Sequence, residues 1–114
     1  MKVLVCGGRD YEDYDRLEDE LNLLERAYGS LTIISGCARG ADTLAIRYAE
    51  KYNDPLERYP AKWHQYGNRA GPIRNQQMLD EGKPDIVVAC PGGTGTAHMV
   101  SIAKKAGVEV IEIE

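Results

Sequence analysis

Five short strand-like runs, each bounded by glycine or proline, alternate with stretches of helical period, and this alternation constrains the chain more than any other feature. The runs are Val3–Cys6, Leu31–Ile34, Leu56–Tyr59, Asp85–Cys90 and Val108–Ile113. Strands separated by helices pair in parallel through right-handed crossovers. The expectation is one α/β domain over residues 1–114, with three layers and a five-stranded parallel sheet in the order 3-2-1-4-5. A chain with that order starts at the centre of the sheet, runs to one edge, then returns to build the other. Its direction switches between strands one and four, and ligands bind such sheets in the crevice at that switch.

Helix signals fall between the runs. Tyr14, Leu17, Leu21, Leu24 and Tyr28 recur at spacings of three and four, so they predict one buried stripe, with Asp13 as N-cap and Gly29 as the stop. A second stripe is Ala41, Leu44, Ala45, Tyr48, Ala49 and Tyr52, ended by Asn53-Asp54-Pro55. Residues 61–71 read as a long irregular loop, and Pro72 as the N1 residue of a helix to about Glu81. The last helix is expected from Thr96 to Ala106, with Met99, Ile102, Ala103 and Ala106 inward and Gly107 closing it. The fifth strand alternates, which predicts an edge with one solvated face.

Glycine-bearing turns follow the strands. Pro91-Gly92-Gly93-Thr94-Gly95-Thr96 leaves a buried run and enters a helix. The first N–H groups of a helix lack intrahelical partners and carry partial positive charge, so such a turn suits an anion. Glycine admits a close approach, and the Thr94 and Thr96 hydroxyls add donors. This turn is therefore expected to hold the phosphate of a nucleotide-like ligand. Topology would bring Gly7–Asp10 to it, with Ser35–Asp42 alongside.

Charge and cysteine content narrow the function. A net charge of −4 and the lack of a basic stripe argue against broad nucleic-acid binding. The basic residues Arg9, Arg39, Arg69 and Arg74 collect in the glycine loops, which fits a small anion better than a polymer. Cys6, Cys37 and Cys90 form no CxxC pair, so neither a zinc site nor a disulfide framework is expected. Cys6 and Cys90 read as buried apolar residues, and Cys37 as the thiol to test for reactivity. No apolar run is long enough for a membrane span, and the N-terminus lacks a signal-peptide core, which places the chain in the cytoplasm. P-loop, GxGxxG, HExxH and GxSxG motifs are all missing. No metal or cofactor is expected beyond the ligand itself.

Four motifs remain: Gly7-Gly8-Arg9-Asp10, Ser35-Gly36-x-x-x-Gly40-Ala41-Asp42, Gly71-Pro72-x-Arg74-Asn75-x-x-Met78 and Pro91-Gly92-Gly93-x-Gly95-Thr96. In this order around five strands they resemble the SLOG superfamily, which joins the Smf/DprA DNA-processing proteins to the LOG and lysine-decarboxylase-like proteins. The match is closest to its small YspA- and YpsA-related branch, found in bacteria and phages. The resemblance implies a Rossmann-like fold, a nucleotide or nucleotide-derived ligand and a homodimer. LOG enzymes cleave the N-glycosidic bond of modified nucleoside monophosphates. Pro91 to Thr96 looks like their phosphate loop, and Arg74 like their substrate-facing arginine. Their motif continues to a catalytic glutamate, where this chain has Met99.

That departure leaves three functional expectations. The first is a binding protein that senses, sequesters or processes a nucleotide. The second is an N-glycosidic or phosphate-ester hydrolase, with Asp10, Asp42 and His98 as the candidate acids and bases. The third is DprA-like single-stranded DNA binding, which the charge balance opposes. The ligand-contact candidates are Gly7, Gly8, Arg9, Ser35, Gly36, Arg39, Gly40, Arg74, Asn75, Gly92, Gly93, Thr94, Gly95 and Thr96. Trp63 and Tyr66 read either as base-stacking residues or as a small core of their own loop, and His64 as surface.

Overall fold

The computed structural model describes residues 1–114. Strands β1 (Lys2–Cys6), β2 (Thr32–Ser35), β3 (Leu56–Arg58), β4 (Ile86–Ala89) and β5 (Glu109–Glu112) form one sheet in the order β3-β2-β1-β4-β5. All four pairings are parallel. The 3-2-1-4-5 order read from the alternation is therefore the order observed.

Successive side chains of a strand face opposite ways, and β1 shows how this builds three layers. Val3 and Val5 join a core with α1 (Tyr14–Tyr28) and α2 (Ala41–Tyr52). Leu4 and Cys6 join a second core, which includes Met99 and Ala103 of α5 (Thr94–Lys105). The same core takes Met78 and Leu79 from the π-turn Met78–Gly82, which continues α4 (Ala70–Gln77). No helix is long and apolar enough to cross a membrane.

Local signals fix most boundaries. The Asp13 carboxylate accepts the Arg16 N–H at 3.1 Å, capping α1, and Gly29 ends that helix with φ 86°. Several expectations need correcting. Residues 61–71 are largely helical: α3 (Trp63–Tyr66) and the 3-10 turn Gly67–Arg69 run straight into α4. Pro72 is thus the third residue of α4, still within the first turn, where its missing N–H costs no helical bond. Helix α5 begins at Thr94, two residues earlier than expected, and Ala106 is exposed. Strand β5 is an edge, but Val110 and Ile111 pack on opposite faces of the sheet, so neither face is fully solvated. Tyr28 lies on the surface, 57% exposed. Tyr48, by contrast, is fully buried, as the second stripe predicts.

The Tyr48 hydroxyl reaches Asn22 Oδ1 at 2.9 Å and Glu25 Oε2 at 3.2 Å. Beside this group the Asp54 carboxyl has a buried oxygen, Oδ2, without a partner. Burial, then the neighbouring Glu25, push the Asp54 pKa up to about 6. A raised carboxyl pKa stabilises the fold fully below the unfolded value near 4, and this contribution is lost as pH rises through about 6. Asp54→Asn should therefore stabilise the protein at pH 7.5 by about 1 kcal/mol, after allowance for solvent screening, and leave stability unchanged at pH 4. Urea midpoints at the two pH values check this. Equal effects at both would mean that Asp54 does not hold its proton in the fold.

Candidate functional site

Three loops meet at the carboxyl ends of β1, β2 and β4. The Gly8 peptide joins them. Its N–H donates to Pro91 O at 2.8 Å, and its carbonyl accepts the N–H groups of Tyr11 and Ala41, both at 3.2 Å. Above this junction lies a cleft of about 680 Å³, within the range of small-molecule sites. Gly7, Gly8 and Arg9 line one side, and Gly93, Thr94, Gly95 and Thr96 another. Asp42, Arg74, Asn75 and His98 complete the expected members.

Two helices start here, and they differ. Helix α2 carries its own anion in its first turn, Asp42, whose Oδ2 accepts the Ala38 N–H at 3.2 Å. Helix α5 has Gly93 at its N-cap, no side-chain cap and no acidic residue in its first turn. The N–H groups of Thr94, Gly95 and Thr96 find no partner within the protein. An uncapped helix start, open to a cleft, is the anion-binding pole.

Arg74 faces that cleft from α4. Its Nη1 donates to the Gly36 carbonyl and its Nε to Asn75 Oδ1 at 3.1 Å, while Nη2 makes no bond within the protein. Burial works against its charge, and Asp42 supports it. Conversely, burial raises the Asp42 pKa, while the Ala38 N–H, Arg74 and Arg9 pull it down. Asn75 is buried and bridges α4 to α5. Its Nδ2 donates to Gly95 O at 3.2 Å and lies 3.1 Å from His98 Nδ1. Because Asn75 Oδ1 accepts from Arg74, the amide orientation is fixed and Nδ2 is the donor to His98. The neutral His98 ring then carries its proton on Nε2.

Other candidates serve the loops rather than the cleft. Ser35 is fully buried, and its hydroxyl donates to Asp42 O at 2.9 Å and accepts the Cys37 N–H at 3.2 Å. Gly36 lies under Arg74 and Asp42, and a Cβ there would stand 2.8 Å from Arg74 Cζ and 3.0 Å from Asp42 Oδ2. Gly92 packs on the first loop, where a Cβ would come within 2.6 Å of Gly8 N. Gly40 packs on the backbone of Gly8 and Arg9. Arg39 and Asp10 pair with each other at 3.4 Å outside the cleft, with side chains 75% and 96% exposed. Met99, at the position of the LOG glutamate, is fully buried in the second core.

The cleft also holds residues absent from the ligand-contact candidates. Trp63 and Asn68 come from the helical segment whose sequence reads as a loop, and Gly71, Pro72 and Met78 from α4 and its extension. Cys6 and Ala38 complete the lining. Trp63 is 47% exposed, which excludes a closed core of its own. His64 is on the surface. No group of three His, Cys, Asp or Glu side chains is gathered in position to hold a metal ion. Burial pushes the Cys6 and Cys90 thiols up, Cys90 to about 12, so both remain protonated apolar residues.

A family model described as the YspA, cpYpsA-related SLOG family matches residues 1–66, from β1 through α3. This chain belongs to that SLOG family. The Gene 61 protein of Mycobacterium phage D29 is 39% identical over 121 aligned residues, covering 96% of this chain and 94% of that protein. The SLOG family model thus spans the first two glycine loops, and the phage relative extends the likeness across α4 and the α5 pole.

Proposed function

We propose that this SLOG protein binds a nucleotide or nucleotide-derived ligand, with a phosphate at the start of α5. One observation carries this. The three unpartnered N–H groups of Thr94, Gly95 and Thr96 open into the same cleft as the free Nη2 of Arg74. Phosphate offers several acceptor oxygens to such a converging set, and a guanidinium adds charge in a fixed fork. Arg9 adds a second positive charge at the mouth. Family membership favours a nucleotide over a bare anion.

Calorimetry with nucleoside monophosphates and the matching nucleosides tests this. Arg74→Met should weaken the monophosphates about 10- to 100-fold and leave nucleosides unchanged. Arg74→Lys should not restore affinity, because a point charge cannot replace the fork that holds Gly36 and Asn75. Unchanged monophosphate affinity in Arg74→Met, with an unchanged melting temperature, would remove Arg74 from the site.

A second function, cleavage of the bound nucleotide, is supported by Asp42 and His98 lining the same cleft. Asp42 is the carboxylate available there, since Asp10 stands outside and Met99 is sealed in the core. Incubation with a nucleotide panel, read by mass spectrometry, separates the two. Intact nucleotide after long incubation leaves a sensor or sequestering protein. Product that disappears in Asp42→Asn establishes the hydrolase.

A further inference from the structure

We propose that Trp63 and Arg9 form a base clamp at the mouth of the cleft, so that the ligand is a nucleoside phosphate recognised by its planar ring as well as by its phosphate. The inference rests on the phosphate site described above and adds a second subsite to it. Trp63 sits on the short helix α3, in the wall of the cleft shared with Gly71 and Pro72. A nearly half-exposed indole in a cleft is a stacking surface without a stack. The Arg9 guanidinium lies 5.7 Å from the ring centroid.

That spacing has a chemical meaning. A planar ring between two others needs about 3.5 Å on each side, roughly 7 Å in all. At 5.7 Å from the ring centroid, Arg9 has to move outward by at least about 1 Å to admit a base, and it is an exposed side chain with free torsions. Its cation then lies over one face of the base and the indole against the other. Asn68 lines the same mouth, and its amide supplies a donor and an acceptor for a base edge. A sugar phosphate engages the α5 pole but leaves the indole bare.

Trp63 is the only tryptophan in the chain, so its fluorescence reports the subsite directly. Adenosine 5′-monophosphate should quench it on binding, whereas ribose 5-phosphate and inorganic phosphate should bind by calorimetry without quenching. Trp63→Leu should weaken adenosine 5′-monophosphate about ten-fold or more and leave ribose 5-phosphate unchanged. Trp63→Phe should recover most of the loss. Melting temperatures confirm folding, which the exposed position of Trp63 protects. Equal losses for both compounds in Trp63→Leu, or equal wild-type affinities for them, would overturn the clamp and leave the phosphate site standing. Failure of every phosphate compound to bind would overturn both.

Discussion

Gly93→Asp should abolish phosphate binding while raising the melting temperature of the unliganded protein. Gly93 is the N-cap of α5; its φ of −99° is open to residues with a Cβ, and its ψ of −143° has to relax by about 40° into the extended range to carry one. A Cβ there meets nothing within 4 Å, so the substitution introduces no clash. An N-cap carboxylate accepts the N–H of N2 or N3, here Gly95 or Thr96, and complements the helix dipole. The gain is about 0.5–1 kcal/mol, or roughly 2–5 °C for a chain of this size. The same carboxylate occupies the position of the phosphate and repels it. Two like charges about 4 Å apart near a protein surface cost about 4 kcal/mol, so affinity should fall roughly 100-fold or more. Gly93→Ala is the control, since it leaves the N–H groups free and should change affinity only a few-fold. Calorimetry and thermal melting read both effects. Wild-type phosphate affinity in Gly93→Asp would move the anion away from α5.

Gly40→Ala should be the most damaging glycine substitution to stability, although Gly40 lies outside the cleft. Its φ of 82° with ψ of −131° belongs to a region that residues with a Cβ avoid, at a cost of about 1–3 kcal/mol. In addition, a Cβ would fall 2.6 Å from both the carbonyl carbon and the carbonyl oxygen of Arg9. Pushing that loop away breaks the close approach of the first two loops, at a further cost of about 1–3 kcal/mol. The expected total is about 2–6 kcal/mol. Gly29→Ala separates the two causes, because Gly29 has φ of 86° but nothing within 4 Å of an added methyl group. It should cost only the backbone part, about 1–3 kcal/mol. Equal urea midpoints for the two variants would remove the steric half of the explanation.

The architecture was legible because it depends on periodicity. The five runs alternate with helical stripes, and chirality and topology rules leave few ways to arrange them. The candidate site was legible in outline, since the switch point drew Gly7–Arg9, Asp42 and Gly93–Thr96 to one place and the family resemblance added Arg74. What the sequence hid has two physical sources. Glycine is required wherever anything comes close, and it looks the same whether the visitor is a ligand or another stretch of backbone. Gly36, Gly40 and Gly92 admit neighbouring parts of the protein, whereas Gly93 and Gly95 face open space. The second source is the weak start of α3. Lys62 stands at its N-cap without a side-chain cap bond, and Gly67 and Gly71 follow within nine residues. No capping signal marks the segment as helical, so the position of Trp63 in the cleft wall is not readable from the sequence.

The Gly8 peptide ties together residues from the beginning, middle and end of the chain. During synthesis, β1 emerges first yet pairs on both sides, with β2 and finally with β4. Until residue 89 has left the ribosome, one edge of the central strand is bare, and a bare apolar edge is a template for pairing with other chains. A nascent chain halted near residue 66 would hold two of the three joined loops and lack the pole of α5 altogether. It would be an aggregation-prone fragment rather than a weaker binder, so the sheet closes its exposed edge and the protein becomes competent for its ligand in the same late step.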